Sequence, residues 1–423
     1  MSKTTYESVV CPGCACLCDD IDMVVEDNRV TSISNICTWG MSKFFVGKKF
    51  HHRKTRYRLQ RPVVRGTAGS RETSYRAAAR QAAEILARSQ RILLYGFSHC
   101  SYAAQEIGVQ LAARLHGILA PGDGGLLYHF GKALLKYHPL LVTFEEIRDQ
   151  ADLAIFWGGN PMHSCPRLVS RYCIFARGRF TERGYEDRQT FTVDFRATEM
   201  DSMSNMVVLP ESGGDLETLE ALRLLLQQEK PRSYKGRLSA LSKLVQAAEQ
   251  ASYGVIFCGR GILYSGQAEL VFDRLCQIAA ALHGQPSLAI IPMATDFNAN
   301  GLYQAILRQN GFGTRPTIIT TDLLSWDLAG IDAVLAVGGD LWWFLTEEQR
   351  HIIREHDIPI ITIAAFADHT TVRSQISFPC GIVGVEKEGV AYRMDSLPLS
   401  LGKVIDSNLP DDHEILADIG AFL

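Results

Sequence analysis

Neither sign of charge predominates in this sequence. Its 423 residues include 43 Lys and Arg against 46 Asp and Glu, which gives a formal net charge of -3. Proteins that bind nucleic acid or an anionic membrane carry a strongly basic face, and this balance gives no sign of one. We therefore expect neither nucleic acid nor a membrane among the partners.

Long apolar runs are also missing. No run reaches the roughly 18 residues that suggest a membrane-spanning helix. The first ten residues, MSKTTYESVV, lack the basic and apolar regions of a secretory signal. There is no short repeat and no low-complexity segment. With 47% hydrophobic and 21% charged residues, the composition is that of a globular protein, so we expect a cytoplasmic protein of two or three α/β units.

What the sequence does contain is an alternation of short apolar runs with helical patterns. Runs such as RILLYGFSHC, ADLAIFWGGNP, YGVIFCGRGI and DAVLAVGGD end in Gly, Asn or other small or polar residues. Strands that alternate with helices predict parallel sheets covered on both faces, with ligand crevices at the carboxyl ends of the strands. Asp215 is expected to cap the helix DLETLEALRLLLQQE.

This pattern predicts two doubly wound α/β lobes behind a small cysteine-bearing β cap, in which IDMVVEDNRVTSIS forms a hairpin. The predicted domains are residues 1–60 for the cap, 61–235 for the first lobe with a non-contiguous C-terminal contribution, and 236–423 for the second lobe and C-terminal segment.

Cysteine is concentrated near the start of the chain. The stretch VVCPGCACLCDDI holds Cys11, Cys14 and Cys18 in C-x2-C-x3-C spacing, with Cys37 as a possible fourth ligand. Four thiolates fit a [4Fe-4S] cluster or a structural zinc ion. The alternative is a buried, metal-free group of reduced thiols. Cys16 is expected to point away, and the odd total of eleven cysteines argues against a disulfide framework.

Four motifs together resemble the B subunit of formylmethanofuran dehydrogenase, a member of the molybdopterin oxidoreductase family. They are CPGCACLCDDI, FWGGNPMHSCPRLVSRYCIFARGRFTERGYEDR, VDFRATEMDSMSN and GIVGVEKEGVAYRMDSLPL. The resemblance spans nearly the whole chain and implies the first three domains of the formate dehydrogenase fold, without a C-terminal β-barrel domain. In that family the protein holds tungsten or molybdenum on two pterin guanine dinucleotides, carries a [4Fe-4S] cluster on its cap, and reduces carbon dioxide to formate.

Three positions that carry this chemistry in the family have other residues here. Where the dehydrogenases have Cys-His-Gly-Pro-Ser, this chain reads GDGGLLYHFGK, which puts Leu126 at the metal-ligand position and Leu127 at the proton-relay position. The active-site arginine of the family is replaced by Ala294 in IIPMATDFNANG. The resemblance therefore implies that the tungstopterin site is degenerate.

Alignment shifts do not restore the site. Tyr102 and Ala103 stand where relatives have Cys and Glu. A slip of one or two positions would bring His129 into range, but no cysteine lies between Cys100 and Cys165. The soft metal ligand is lost under any such alignment.

A chain that keeps the family motifs but lacks these site residues resembles the B subunit of the bacterial formyltransferase/hydrolase complex of methylotrophs. That complex moves a formyl group from formyl-tetrahydromethanopterin to a methanofuran-like carrier and releases formate without electron transfer. The resemblance implies three sister subunits, namely the A (amidohydrolase-like), C and D (formyltransferase) subunits. It further implies a non-catalytic scaffold role for this chain, with no tungstopterin or molybdopterin and with Cys11, Cys14, Cys18 and Cys37 as a possible [4Fe-4S] site.

Two enzymatic or redox alternatives stay open. One is an active tungsten- or molybdenum-pterin formylmethanofuran dehydrogenase that uses an unusual ligand such as Tyr102 or a water. The other is an iron-sulfur module that passes electrons without a pterin.

Gly158, Gly159, Asn160 and His163 are candidates for a vestigial nucleotide site, since turns at strand ends can offer backbone amides to phosphates. We favour the alternative of a tight turn that requires glycine. The loop GRGILYSG lacks the full dinucleotide spacing and does not predict NAD.

Three further groups have two interpretations each. Asp340, Trp342 and Trp343 follow a strand end, where exposed tryptophans predict an interface and buried ones predict core. Glu386, Glu388 and Arg393 resemble the pterin-facing loop of the family, kept as structure only. Six arginines either grip diphosphates or form a subunit contact together with Glu182, Glu186 and Asp187, and we prefer the contact. The arginines are Arg167, Arg171, Arg177, Arg179, Arg183 and Arg188.

Overall fold

A computed structural model describes residues 2–45, 58–66, 69–282, 287–309, 317–318 and 328–423. The chain divides into two compact units. Unit 1 comprises Met1–Gly125, Asp296–Arg393 and Pro398–Leu423, and unit 2 comprises Leu126–Thr295 and Met394–Leu397. No helix in the described ranges combines the length and the apolar character needed to cross a membrane.

The strands and helices follow each other along the chain in the alternation that the sequence predicts. The strands are β1 (Lys3–Val9), β2 (Ile21–Glu26), β3 (Arg29–Ser34), β4 (Val63–Gly66), β5 (Gly69–Glu72), β6 (Ile92–Gly96), β7 (Ile118–Pro121), β8 (Leu153–Trp157), β9 (Gln189–Val193), β10 (Met206–Val208), β11 (Tyr253–Cys258), β12 (Ser287–Pro292), β13 (Thr317–Ile318), β14 (Ala333–Val337), β15 (Ile360–Ala364), β16 (Ile376–Pro379), β17 (Gly389–Tyr392) and β18 (Pro398–Leu401). The α-helices are α1 (Thr38–Phe44), α2 (Tyr75–Arg88), α3 (Tyr102–Arg114), α4 (Leu126–Tyr137), α5 (Phe144–Gln150), α6 (Pro161–Ser164), α7 (Asp215–Leu226), α8 (Leu238–Gln250), α9 (Ala268–Ala281), α10 (Ala299–Gln309), α11 (Leu341–Phe344), α12 (Glu347–Glu355) and α13 (Asp412–Phe422).

Unit 1 begins with a three-stranded antiparallel sheet in the order β1-β2-β3. The turn between β2 and β3 is made by Asp27 and Asn28, whose φ angles are both positive, at 48° and 61°. Tight hairpin turns need positive φ at both central residues, and Asp and Asn tolerate it better than most side chains. The hairpin predicted at these residues is confirmed.

The main sheet of unit 1 has eight strands in the order β13-β7-β6-β14-β15-β16-β4-β5. The strands from β13 to β16 pair in parallel, and β4 and β5 add an antiparallel hairpin at one edge. Every residue of β6, β14 and β15 is buried, as expected for parallel strands covered on both faces. Helix α2 covers this sheet with the buried alanine face of Ala78, Ala79, Ala82 and Ala83.

The sheet of unit 2 has five parallel strands in the order β10-β9-β8-β11-β12. Its core includes side chains from these strands and from α4, α7, α8 and α9. The expected cap at Asp215 is wrong, because Gly214 is the N-cap of α7 and Asp215 is its first residue. The Asp215 carboxylate instead accepts a hydrogen bond of 2.7 Å from the Trp157 indole nitrogen.

The predicted α/β class with parallel sheets is confirmed, whereas the predicted division into residues 61–235 and 236–423 differs from the structure. That boundary falls between β10 and β11, yet β11 pairs with β8 inside the sheet of unit 2. The chain leaves unit 1 after Gly125 and returns at Asp296. An apolar run predicts a strand but does not predict which strands it pairs with. Sequence reasoning therefore missed that the chain passes from unit 1 to unit 2 and back.

Candidate functional site

Unit 1 gathers the four cysteines of the N-terminal motif around one turn. Cys11 follows β1, and its amide donates to the Cys18 carbonyl oxygen at 2.8 Å, which closes the loop that carries Cys14. Cys37 is the N-cap residue of α1. Cys11, Cys14 and Cys18 are buried, and Cys37 is partly exposed.

The electrostatics of Cys11 show which thiols lie near it. Burial raises the pKa of Cys11 well above its usual value, and the charges of Cys14, Cys18 and Cys37 raise it further. Cys16 is fully buried and is not among the thiols that act on Cys11, but its sulfur lies within 4.8 Å of the Cys14 sulfur, so the expectation that it points away is wrong. The four cysteines that the spacing grouped therefore share one electrostatic environment, in which a bound cation or cluster would offset the repulsion between thiolates.

The distances between the sulfur atoms bear on what they can bind. Among the residues that the structure describes, no three of Cys11, Cys14, Cys18 and Cys37 have sulfur atoms within 4.8 Å of one another. Tetrahedral zinc, with Zn–S bonds of about 2.3 Å, would bring four thiolates to roughly 3.8 Å from each other. A four-iron cluster spreads its thiolates more widely, because each binds a different iron atom. The donor set thus fits a cluster better than a single ion.

The backbone at Gly40 comes close to this group. A Cβ atom placed on Gly40 would lie 2.7 Å from the Cys11 sulfur and 2.6 Å from a side-chain carbon of Ile36. Only a residue without a side chain allows α1 to approach the sulfur so closely. Sequence reasoning missed Gly40, and the only signal for it is its position three residues after Cys37.

The three positions aligned with the tungsten chemistry are all apolar and buried in unit 2. Leu126 and Leu127 are the first two residues of α4, and Ala294 follows β12. Leu126 and Ala294 have no exposed surface, and Leu126 belongs to the hydrophobic core of unit 2. Their side chains are hydrocarbon, so none has an atom that can bind a metal, carry a proton or hold an anion. The residues present do not fit a tungsten or molybdenum centre at these positions.

The neighbouring candidates Tyr102, Ala103 and His129 are divided between the two units. Tyr102 begins α3 in unit 1, where its ring packs 5.0 Å from that of Tyr392 and lies under the guanidinium of Arg308. Burial raises the pKa of Tyr102 well above its usual value, which disfavours the phenolate that a metal would bind. Ala103 is exposed, and His129 lies partly buried on α4 in unit 2.

The glycine turn after β8 is packed against backbone. Gly158 has a φ of +61°, and a Cβ atom there would lie 2.9 Å from the Ile262 amide nitrogen. The Gly158 carbonyl accepts from the Gly261 amide at 2.7 Å. This turn therefore needs glycine for the contact between the segments after β8 and β11.

Asn160 and His163 both bind one carboxylate on the surface of unit 2. The Asn160 amide donates to Glu199 at 2.6 Å, and His163 Nε2 lies 3.0 Å from the other Glu199 oxygen. Hydrogen bonds from the Glu199 backbone amide, Asn160 and His163 lower the pKa of Glu199 to about 2. Both side chains are thus engaged within the protein.

One of the two tryptophans after β14 is buried in the core and the other is exposed at the surface. Trp342 is buried in unit 1, whereas Trp343 is 64% exposed and stacks 5.1 Å from the His369 ring. Asp340 accepts hydrogen bonds from His369 and from Thr370, which fixes this strand end. Each of the two interpretations therefore applies to one tryptophan.

The loop that resembles the pterin-facing segment is held by an ion pair in unit 1. Glu386 is buried, accepts from the Ile382 amide at 2.9 Å and pairs with Arg58, a residue that sequence reasoning missed. The side chain of Arg393 is fully buried, and its carbonyl accepts from Asn300 at 2.7 Å. Glu388 is exposed.

The six arginines of the basic segment do not form one cluster of free charge. Arg188 is buried and donates only to uncharged oxygens among its described hydrogen bonds, and Arg183 pairs with Asp187 and Glu186. Arg177 and Arg179 are exposed. Arg167 and Arg171 are partly buried, and the Arg171 guanidinium lies 4.7 Å from the centroid of the Tyr172 ring.

Comparison with known proteins now places this arrangement in a class. No family model matches the chain. Among solved structures, acetylene hydratase from Pelobacter acetylenicus superposes with a TM-score of 0.67 at 10% identity, over 99% of this chain and 69% of that one. A chain of the formyltransferase/hydrolase complex FhcABCD from Methylorubrum extorquens, solved with methylofuran, gives a TM-score of 0.63 at 17% identity, over 85% of this chain and 97% of that one. The chain therefore shares its fold with acetylene hydratase and with a chain of the FhcABCD complex.

Curated relatives are closer in sequence. The B subunit of tungsten-containing formylmethanofuran dehydrogenase 2 from Methanocaldococcus jannaschii is 31% identical over 97% of this chain and 96% of its own length. Its counterpart from Methanococcus maripaludis is 29% identical over 97% of both chains. The chain belongs to the family of formylmethanofuran dehydrogenase B subunits, which confirms the family predicted from the four motifs.

Proposed function

We propose that this chain is a non-catalytic scaffold subunit of a formyltransferase/hydrolase complex. In such a complex a formyl group passes from formyl-tetrahydromethanopterin to a methanofuran-like carrier and is released as formate. The sister A, C and D subunits would carry the amidohydrolase-like and formyltransferase sites. The present chain would contribute the fold of the B subunit without tungstopterin or molybdopterin chemistry.

The burial of Leu126 in the core of unit 2 is the observation that carries this proposal. An aliphatic side chain that merely lined an empty cofactor cavity would keep some exposed surface, whereas Leu126 has none. The same core contains Phe130 and Ala133 of the same helix and Trp157 of β8. The position aligned with the metal ligand thus has a structural role, which gives selection a reason to keep it apolar.

The likeness to a chain of the Methylorubrum complex supports the assembly part of the proposal. That complex has four kinds of subunit by its name, and its matched chain is covered over 97% of its length. Because the identity there is 17%, the support concerns the fold, and the partner subunits of the present chain are inferred from it.

We further propose that Cys11, Cys14, Cys18 and Cys37 hold a [4Fe-4S] cluster. The spread of the four sulfur atoms favours a cluster over zinc. The close approach of Gly40 brings the start of α1 to the Cys11 sulfur. A bound cluster would supply one-electron redox chemistry, and it would also tie the turn after β1 to the start of α1.

A second candidate is an active tungsten enzyme. The relatives that share about 30% identity with this chain over nearly its whole length are named as tungsten-containing. This function would need ligands other than residues 126, 127 and 294.

The two candidates differ in their dependence on tungsten. We would purify the complex from cells grown with and without tungstate and molybdate, then assay formyl transfer with formate release and, separately, carbon dioxide reduction. The scaffold proposal expects equal formyl transfer from both cultures and no carbon dioxide reduction. Carbon dioxide reduction that disappears without the metal would overturn it.

A further inference from the structure

The connection from β8 to β9 in unit 2 presents a cluster of exposed aromatic and basic side chains. We call it the 175–185 surface, and it consists of Phe175, Arg177, Arg179, Phe180 and Tyr185. The three aromatic residues are 45%, 66% and 59% exposed in chain order. Burial of these rings is therefore not needed for folding of the chain, and their exposure calls for another explanation.

The position of this surface in the fold separates it from the ligand crevices of the sheet. The segment packs on Arg148, Asp149 and Ala151, which immediately precede β8, and it ends at Arg188, which immediately precedes β9. The surface therefore lies at the amino ends of these parallel strands. Cofactors and substrates of doubly wound sheets bind at the carboxyl ends.

The buried side chain of Arg188 holds the backbone of the 175–185 surface in place. This buried guanidinium donates to the carbonyl oxygens of Arg148, Ala151 and Ala176 and to the Thr181 hydroxyl. Three of these acceptors are backbone atoms, so the guanidinium joins the segment before β8 to the segment that carries the exposed rings. Such a support fixes the surface before any partner binds and so lowers the entropy lost on binding.

Two further contacts fix the same segment. The Phe180 amide donates to the Asp149 carbonyl at 2.9 Å, and the Thr181 hydroxyl donates to the Arg148 carbonyl at 2.9 Å. Gly178 lies so close to the Arg148 carbonyl that a Cβ atom there would overlap its oxygen. The exposed side chains thus project from a backbone with little freedom.

The charges of the surface indicate the chemistry of its partner. Arg177 has no ion pair among the described residues, and the charge of Arg179 acts on the Asp149 carboxylate, which forms its ion pair with Arg148. The Arg179 guanidinium lies 5.2 Å from the centroid of the Phe180 ring. Phe175 and Tyr185 pack edge to face at 6.2 Å. Aromatic and arginine side chains on a rigid backbone are the composition of binding hot spots. A partner that binds this surface would place carboxylates opposite the guanidinium groups of Arg177 and Arg179.

We infer that the 175–185 surface is the docking site for a sister subunit that presents carboxylates around an apolar socket. This inference rests on the proposed function, because it assumes that the chain works within a complex. It assigns the contact to the amino ends of β8 and β9 in unit 2.

Two other occupants fit the surface less well. A second copy of this chain would present Arg177 and Arg179 together with Glu182 and Glu186, and this mixed charge matches two guanidinium groups less well than carboxylates alone. Nucleic acid is disfavoured because the exposed carboxylates of Glu182 and Glu186 lie within the same segment.

The first test is site-specific photocrosslinking in the intact complex. A photoreactive benzoylphenylalanine replaces Phe180, and in a matched control it replaces Leu135, which is 65% exposed on α4 of the same unit. We expect a crosslink from position 180 to a sister subunit. A crosslink to a second copy of this chain, or none from position 180 in an assembled complex, would overturn the inference and leave the proposed function standing.

The second test reverses the two charges. Arg177→Glu with Arg179→Glu should weaken association with the purified sister subunits by roughly tenfold or more at low salt, and by less at high salt. Arg76→Glu, at an exposed arginine on α2, is the control and should leave association unchanged. Thermal melting of each variant checks that the fold is kept.

The outcomes separate the two proposals. If wild-type chain fails to associate with any sister subunit, the proposed function fails and the inference fails with it. If wild-type and doubly reversed chain associate equally well, only the inference is overturned.

Discussion

Two groups of residues that the family uses for metal chemistry have opposite character in this protein. The group in unit 1 has four thiols around one turn, three of them buried, with the backbone of Gly40 close to a sulfur atom. The group in unit 2 has hydrocarbon at each corresponding position, and Leu126 is part of the core.

Under the proposed function, this difference means that the parts of a cofactor site are under separate constraints. A cluster bound by the cap contributes to the stability of its own turn, so its ligands have a reason to persist without catalysis. A catalytic cysteine and histidine have no such second role. Under the proposed function their chemistry is lost, and apolar replacements that pack well are retained, because burial of a leucine side chain stabilises the fold by about 1.5–3 kcal/mol.

Removal of one cap thiol should give the largest effect. Anaerobically reconstituted wild-type protein is expected to hold about four iron atoms per chain, and Cys14→Ser should lose nearly all of them, because a cluster needs each of its thiolates. Cys276→Ser, at a buried cysteine on α9 of unit 2, is the matched control and should keep its iron. Iron and sulfide analysis with the visible absorption band measures both. Equal iron in Cys14→Ser and in wild type would contradict the proposal that the cap thiols bind a cluster.

Truncation of the apolar group should act on stability. Leu126→Ala is expected to lower the free energy of unfolding by about 2–5 kcal/mol, because it leaves a cavity in the core of unit 2. Leu135→Ala, at an exposed leucine of the same helix, should change it by no more than about 0.5 kcal/mol. Urea unfolding measures both. A neutral Leu126→Ala would indicate that residue 126 lines an open cavity.

A methyl group at position 40 tests how closely α1 approaches the cap thiols. Gly40→Ala puts a carbon atom 2.7 Å from the Cys11 sulfur, so α1 must shift and the cluster should lose iron to a chelator several times faster. Gly402→Ala is the control, because a Cβ atom there meets no atom within 4 Å. Equal rates for the two variants would contradict the proposed closeness of α1 to the cluster.

The smallest effect concerns the buried carboxylate of Asp215 in unit 2. Burial raises the pKa of Asp215 above its ordinary value of 3.8, so its contribution to stability is complete below that value and is lost as the pH rises through the folded-state pKa. Asp215→Asn keeps an acceptor for Trp157 but cannot titrate. Its melting temperature should fall less than that of wild type as the pH is raised from 4 to 7, and parallel profiles would contradict this assignment.

Much of the fold followed from the sequence because parallel strands buried on both faces are continuous apolar runs. β6, β8, β11, β14 and β15 were all recognisable in this way. Their assignment to sheets was not, because the pairing of β11 with β8 depends on a crossing of the chain between units.

The candidate sites were likewise only partly predictable from the sequence. Cysteine spacing grouped four thiols because the ligands lie close in sequence, and the four motifs identified the family. By contrast, the burial of Trp342 beside exposed Trp343, and the use of Arg188 as a support for a surface segment, depend on distant backbone that a sequence pattern does not encode.

The most direct test of the central claim is the metal and pterin content of the intact complex, purified from cells supplied with tungstate and molybdate. Elemental analysis by mass spectrometry, with fluorescence detection of oxidised pterins, should find neither tungsten nor molybdenum in stoichiometric amount and no pterin. One tungsten or molybdenum atom per chain together with pterin would contradict the claim that residues 126, 127 and 294 mark a lost catalytic centre.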